Sequence, residues 1–202
     1  MYTEKVKFLP WKGPHYEEGL SGVTTLVLGE SHYTWNEKDI NKWPEVTQKL
    51  VSEQIQDKKF KKAFWTNIVI TFIGFTPTLE DKKKFWNSVA FYNYVQETAG
   101  DSARKAPPTD SWERSAPAFQ EVLNKLNPDF VVILGYRLSS HLSRFKENPG
   151  PFLGTDSKIK TWWMATNGGQ ALATTIRHPS SGFNGRAWNK YILEALTLAA
   201  KE

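Results

Sequence analysis

Val23-Thr24-Thr25-Leu26-Val27-Leu28-Gly29-Glu30-Ser31-His32-Tyr33 is the stretch that decides how this chain is read. Its first six residues are β-branched or leucine and uncharged, the pattern of a short buried strand. Gly29 ends that strand, and a carboxylate, a hydroxyl, an imidazole and a phenol follow within four residues. Polar groups at the carboxyl end of a buried strand occupy the ligand edge of an open α/β sheet. An ordinary polar loop has the same composition, so this stretch alone leaves the two readings equal. A second segment shifts the balance. Ala171 to Ile176 is another strand-like run, and Arg177-His178-Pro179-Ser180-Ser181-Gly182-Phe183-Asn184 follows it.

Around these two points strands alternate with helices. Val89 to Val95 and Phe130 to Leu134 read as further buried strands, and Thr161 to Met164 pairs with Ala171 to Ile176 around Asn167-Gly168-Gly169. Pro44 starts a helix carrying Val46, Leu50 and Ile55. From Ser115, Phe119, Val122, Leu123 and Leu126 form one apolar helical stripe that Pro128 ends. Trp188, Ile192, Ala195, Leu196 and Ala199 mark a closing helix, whereas Glu97 to Ser111 is a loop by composition. The alternation predicts an α/β fold, a three-layer α/β/α sandwich around a mainly parallel sheet of about four strands. The chain has 202 residues, no internal repeat and no dividing linker. Residues 1–202 therefore read as a single domain, with 1–22 a lead-in pinned by Trp11 and Tyr16.

The formal net charge is +5, which favours a polyanionic partner without proving one. Two lysine clusters, Lys58 to Lys62 and Lys82 to Lys84, adjoin aromatic residues. Such runs suit a phosphate backbone, although a solvated helix face is the commoner meaning. With no cysteine, the chain has no disulfide, zinc–thiolate site or iron–sulfur cluster. No metal or cofactor is expected. The absence of a long apolar run or signal-peptide pattern points to a soluble, cytoplasmic protein with no membrane partner, expected as a monomer.

The order of motifs carries a resemblance. Gly29-Glu30-Ser31-His32-Tyr33 comes first, then Phe91-Tyr92-Asn93-Tyr94-Val95-Gln96, Pro107-Pro108, the helix into Pro128-Asp129-Phe130-Val131-Val132-Ile133-Leu134-Gly135, and His178-Pro179-Ser180. This series resembles the uracil-DNA glycosylase superfamily over residues 23–200. There, one strand ends in Gly-Gln-Asp-Pro-Tyr-His or Gly-Glu-Ala-Pro-Gly, a later strand delivers an Asn, and His-Pro-Ser closes the site. The resemblance implies that Asn93 binds the uracil edge and that His178 stabilises negative charge developing on the base. It also implies that Tyr33 screens the base at its 5-position, with Ser31 and His32 beside it. Pro179 and Ser180 would hold a phosphate, while Phe183 and Arg186 would enter or grip the DNA. Phe183 could equally pack beneath its own loop. Ser31 stands where one branch has its water-preparing Asp, so Glu30, one place earlier, is the expected catalytic carboxylate. His32 replaces the usual Pro, and the cysteines of the other branch are missing.

The expected function is therefore hydrolysis of the N-glycosidic bond of uracil or another deaminated or damaged base in DNA. The alternative is a nucleic-acid-binding module that kept the fold after losing the Asp. A third reading is a small-molecule hydrolase, because Gly-Glu-Ser-His also occurs in the longer, more helical erythromycin-esterase-like enzymes.

Overall fold

The computed structural model describes residues 1–33, 43–56, 63–100, 105–156, 158–180 and 182–200. Its strands are β1 (Trp11–Lys12), β2 (Thr25–Gly29), β3 (Val89–Asn93), β4 (Phe130–Leu134), β5 (Asn148–Pro149), β6 (Thr161–Thr166) and β7 (Gly169–Ile176). They form one mixed sheet in the order β1-β3-β2-β4-β7-β6-β5. The centre, β3-β2-β4-β7, is parallel, while β1, β6 and β5 are antiparallel to their neighbours.

The expected count of about four strands is corrected to seven among the described residues. Four is the number in the parallel centre, whose apolar runs are legible in the sequence. β6 joins β7 as a hairpin. The edge strands β1 and β5 are two residues each, too short to leave any alternation.

Six helices are described: α1 (Val46–Ile55), α2 (Ala63–Ile73), α3 (Leu79–Asn87), α4 (Thr109–Leu126), α5 (Tyr136–Ser140) and α6 (Gly185–Ala199). Because side chains alternate along a strand, β2 sends Leu26 and Leu28 to one face and Val27 to the other. On the first face they meet Phe119, Val122 and Leu123 of α4 and Leu138 of α5. On the second, Val27, Phe91, Val132 and Leu172 meet Val51 of α1, Ile68 of α2, Trp86 of α3 and Ile192 of α6. The result is three layers, helices on both faces of the sheet. Each large apolar side chain so buried stabilises the fold by about 1.5–3 kcal/mol.

Helix α4 starts at Thr109, inside the segment expected to be loop, and contains Pro117. Trp112 and Ala116 are buried and extend the apolar stripe by another turn, which offsets the hydrogen bond that Pro117 cannot donate. Asn127 ends the helix in the left-handed region, φ 46°. Its Oδ1 accepts from Thr166 Oγ1 and the Gly168 backbone N–H, both at 2.8 Å, tying α4 to the β6–β7 turn. The lead-in is fixed as expected. Tyr16 is fully buried and donates to the Leu126 carbonyl at 3.2 Å, and Trp11 Nε1 donates to the Trp86 carbonyl at 2.7 Å.

Crossovers decide where a ligand fits. The chain leaving β2 crosses the face carrying α1 to α3, whereas the chains leaving β3 and β4 enter α4 and α5 on the opposite face. β2 is thus flanked by neighbours whose connections diverge from its own, the arrangement at which open α/β sheets take their ligands. Glu30, Ser31 and His32 begin at the carboxyl end of β2.

Candidate functional site

Four carboxyl-end segments, after β2, β3, β4 and β7, supply the site. Gly29 pairs with Asn93 in register, so the ends of β2 and β3 are level. A Cβ added at Gly29 would lie 2.2 Å from Asn93 Oδ1, so only glycine lets the Asn93 amide lie across the end of β2. Asn93 is 7 % exposed. Its backbone carbonyl accepts from Gln96 Nε2 at 2.9 Å, and Gln96 Oε1 in turn accepts from the Phe8 N–H at 2.9 Å.

His32 lies behind Asn93 and is only 2 % exposed. Its Nε2 shares a 2.9 Å hydrogen bond with Thr47 Oγ1 of α1, and Asn93 Nδ2 lies 3.3 Å from both ring nitrogens. Phe8 meets the ring edge-on at 4.9 Å. Burial drives the His32 pKa down to about 3, because the charged imidazolium has no water to solvate it. His32 is therefore a neutral strut between α1 and Asn93, and it reaches a ligand only through its neighbours. Ser31 Oγ is buried without a hydrogen-bond partner among the described residues. Tyr33 is half-buried, close enough to Arg137 to act on it electrostatically.

Glu30 is not a free carboxylate. Arg137, at the start of α5, forks onto it with Nε to Oε2 at 2.8 Å and Nη2 to Oε1 at 2.5 Å. The Glu30 side chain is 11 % exposed and that of Arg137 45 %, so the guanidinium covers the carboxylate from the solvent side. The Glu30 hydrogen bonds raise the Arg137 pKa further, ahead of an opposing desolvation and a smaller coulombic contribution.

His178, just past β7, completes the group. Gly135, φ 113°, lets the chain turn between β4 and α5 directly against it, and a Cβ there would meet His178 Cβ at 3.5 Å. His178 is exposed by surface area, yet the groups packed around it desolvate it enough to lower its pKa; Glu30 opposes this and Arg137 adds to it. The imidazole is thus neutral at neutral pH, with one N–H to offer a ligand. Phe64 of α2 faces it, ring centroids 5.3 Å apart and planes tilted by 30°. Asn67 Nδ2, one turn further along α2, donates to the Pro179 carbonyl at 3.1 Å and anchors the loop.

The remaining expected residues lie beyond this group. Ser180 is exposed, and its N–H closes a tight turn onto the His178 carbonyl at 2.8 Å. Phe183 is half-buried and packs on the core beneath its loop. Arg186 is exposed on α6 and donates to Thr76 Oγ1 at 3.0 Å. Of the lysine clusters, Lys82 to Lys84 lie on α3, whereas the Lys58 to Lys62 cluster lies outside the described residues.

The sequence did not single out Arg137, Phe64, Thr47 or Asn67. Arg137 pairs with a residue 107 positions away, so nothing local announces it. Phe64 sits at the end of a lysine-rich run that hides its role.

Chemically, the edge offers a buried amide, a neutral imidazole, an arginine-paired carboxylate and an aromatic face. Among the described residues, no group of three or more His, Asp or Glu side chains is placed to hold a metal ion. No helix among them is long and apolar enough to cross a membrane. Comparison with known protein families and with curated proteins found no match.

Proposed function

We propose that this chain hydrolyses the N-glycosidic bond of uracil or another deaminated or damaged base in DNA, on a fold of the uracil-DNA glycosylase kind. The observation that carries the reading is the convergence at one sheet edge of Asn93, Glu30 and His178, delivered by β3, β2 and β7. The four parallel strands with helices on both faces support the fold assignment.

Breaking the bond from C1′ to the base nitrogen leaves positive charge on the sugar and negative charge on the base. Asn93 can both donate and accept on the edge of a keto base. Neutral His178 donates to a base oxygen as it gains charge. Phe64 offers a face against which a flipped ring can lie. Glu30 supplies negative charge beside the sugar, where water adds to C1′ and loses its proton.

The Glu30–Arg137 pair favours a second reading, a nucleic-acid-binding module without cleavage, because a carboxylate covered by a guanidinium is less available to a cation. One assay separates the two. Oligonucleotides carrying uracil, hypoxanthine or other altered bases, single- and double-stranded, are incubated with the protein and free base is measured. Release of any base supports the glycosylase. Binding with no release on the whole panel selects the module.

A further inference from the structure

A depression of about 620 Å³ lies between the start of α6 and the turn after β4, lined by Tyr136, Arg186, Trp188, Lys190 and Tyr191 among others. It adjoins the candidate site: Tyr136 stands between Gly135, which touches His178, and Arg137, which holds Glu30. The lining is aromatic and cationic. Trp188 and Tyr191 meet edge-to-face with centroids 6.0 Å apart, and Lys190 Nζ lies 4.7 Å from the Tyr191 centroid.

Tyr136 is 60 % exposed, an unusual position for so large a ring next to a buried strand end. Arg186 is held on this surface by its hydrogen bond to Thr76 Oγ1. An exposed ring and two cations, Tyr136, Arg186 and Lys190, therefore share the lining of this depression.

We infer that this surface holds the single-stranded nucleotides flanking the target base, with Tyr136 stacking on a base and Arg186 and Lys190 meeting phosphates. An exposed ring can stack only on a base whose face is free, which a single strand offers and a continuous duplex does not. Charge complementarity points the same way, because two cations line a depression in a chain of net charge +5. The inference rests on the proposed function only in assuming that the chain handles nucleic acid.

The test is fluorescence anisotropy with a short labelled oligothymidylate containing no altered base, alone and as a duplex with its complement, titrated at several salt concentrations. Wild type should bind the single strand more tightly than the duplex. Tyr136→Ala should weaken single-strand binding by roughly five- to a hundred-fold, the effect of losing one stacked base. Lys190→Gln should lower the salt slope by about 0.7, one phosphate contact on a single strand. Both side chains are exposed, so neither substitution removes core packing. Equal affinity for duplex and single strand, or variants that bind as wild type does, would overturn the inference. Base release measured on the same preparations keeps the two proposals apart. Release with unchanged variant affinity sinks this surface alone, and weakened variants without release sink the glycosylase alone.

Discussion

Acid should destabilise this protein through His32. The imidazole is buried, meets Thr47, Asn93 and Phe8, and has its pKa lowered from 6.5 to about 3 by burial. In the unfolded chain the same group takes up a proton near pH 6.5. Between those two values the unfolded state binds the additional proton, so stability rises with pH and is lost as pH falls. The contribution is complete above about pH 6.5, and below it stability drops by about 1.4 kcal/mol per pH unit. From pH 7 to pH 5 the loss comes to about 2 kcal/mol, a substantial share of the 5–15 kcal/mol of a typical domain. Urea unfolding at pH 7, 6 and 5, on wild type and on His32→Gln, isolates the effect. Glutamine can still reach Thr47 but does not titrate, so its stability should fall by about 2 kcal/mol less over the same range. In the folded wild type, the His32 ring signals in NMR should not titrate above pH 5. Parallel pH dependence in the two proteins, or a ring titrating near pH 6.5, would refute the burial argument.

Other expectations concern the core and, on the proposed glycosylase reading, the site. Glu30→Gln should slow single-turnover base release by roughly 10²–10⁴-fold with DNA binding retained; an unchanged rate would remove Glu30 from the chemistry. His178→Ala should also slow release, and the acid limb of the wild-type pH profile, set by loss of the neutral imidazole, should lie below pH 6.5. Gly29→Ala should leave the fold cooperative but displace the Asn93 amide, costing about 1–3 kcal/mol in thermal or urea unfolding and most of the base release. Phe119→Ala, in the fully buried cluster with Tyr94 and Phe145, should cost about 3–5 kcal/mol by urea unfolding.

The parallel centre of the sheet was legible because its strands are buried on both faces over most of their length and carry no charge, most plainly in the unbroken apolar run Phe130 to Leu134. The carboxyl-end residues Glu30, Asn93 and His178 followed from those runs. Elements stabilised by contact rather than by local pattern were not legible. β1 exists because Trp11 and Lys12 pair with Phe91 and Ala90. The first turns of α4 exist because Trp112 finds the core in spite of two prolines before it and one after. The same holds within the site. A carboxylate after a strand announces itself, but the arginine that covers it belongs to another strand end, and only the assembled sheet brings the two together.

The sheet's borders also govern how the protein behaves at high concentration. A long, flat edge strand invites a second chain to dock and begins aggregation. Here one border is the two-residue strand Trp11–Lys12, which carries a lysine. The other is Asn148–Pro149, where proline has no N–H to offer an incoming strand. The apolar strands β2 and β4 thus lie in the middle of the sheet, and the chain presents to its own copies two borders only two residues long.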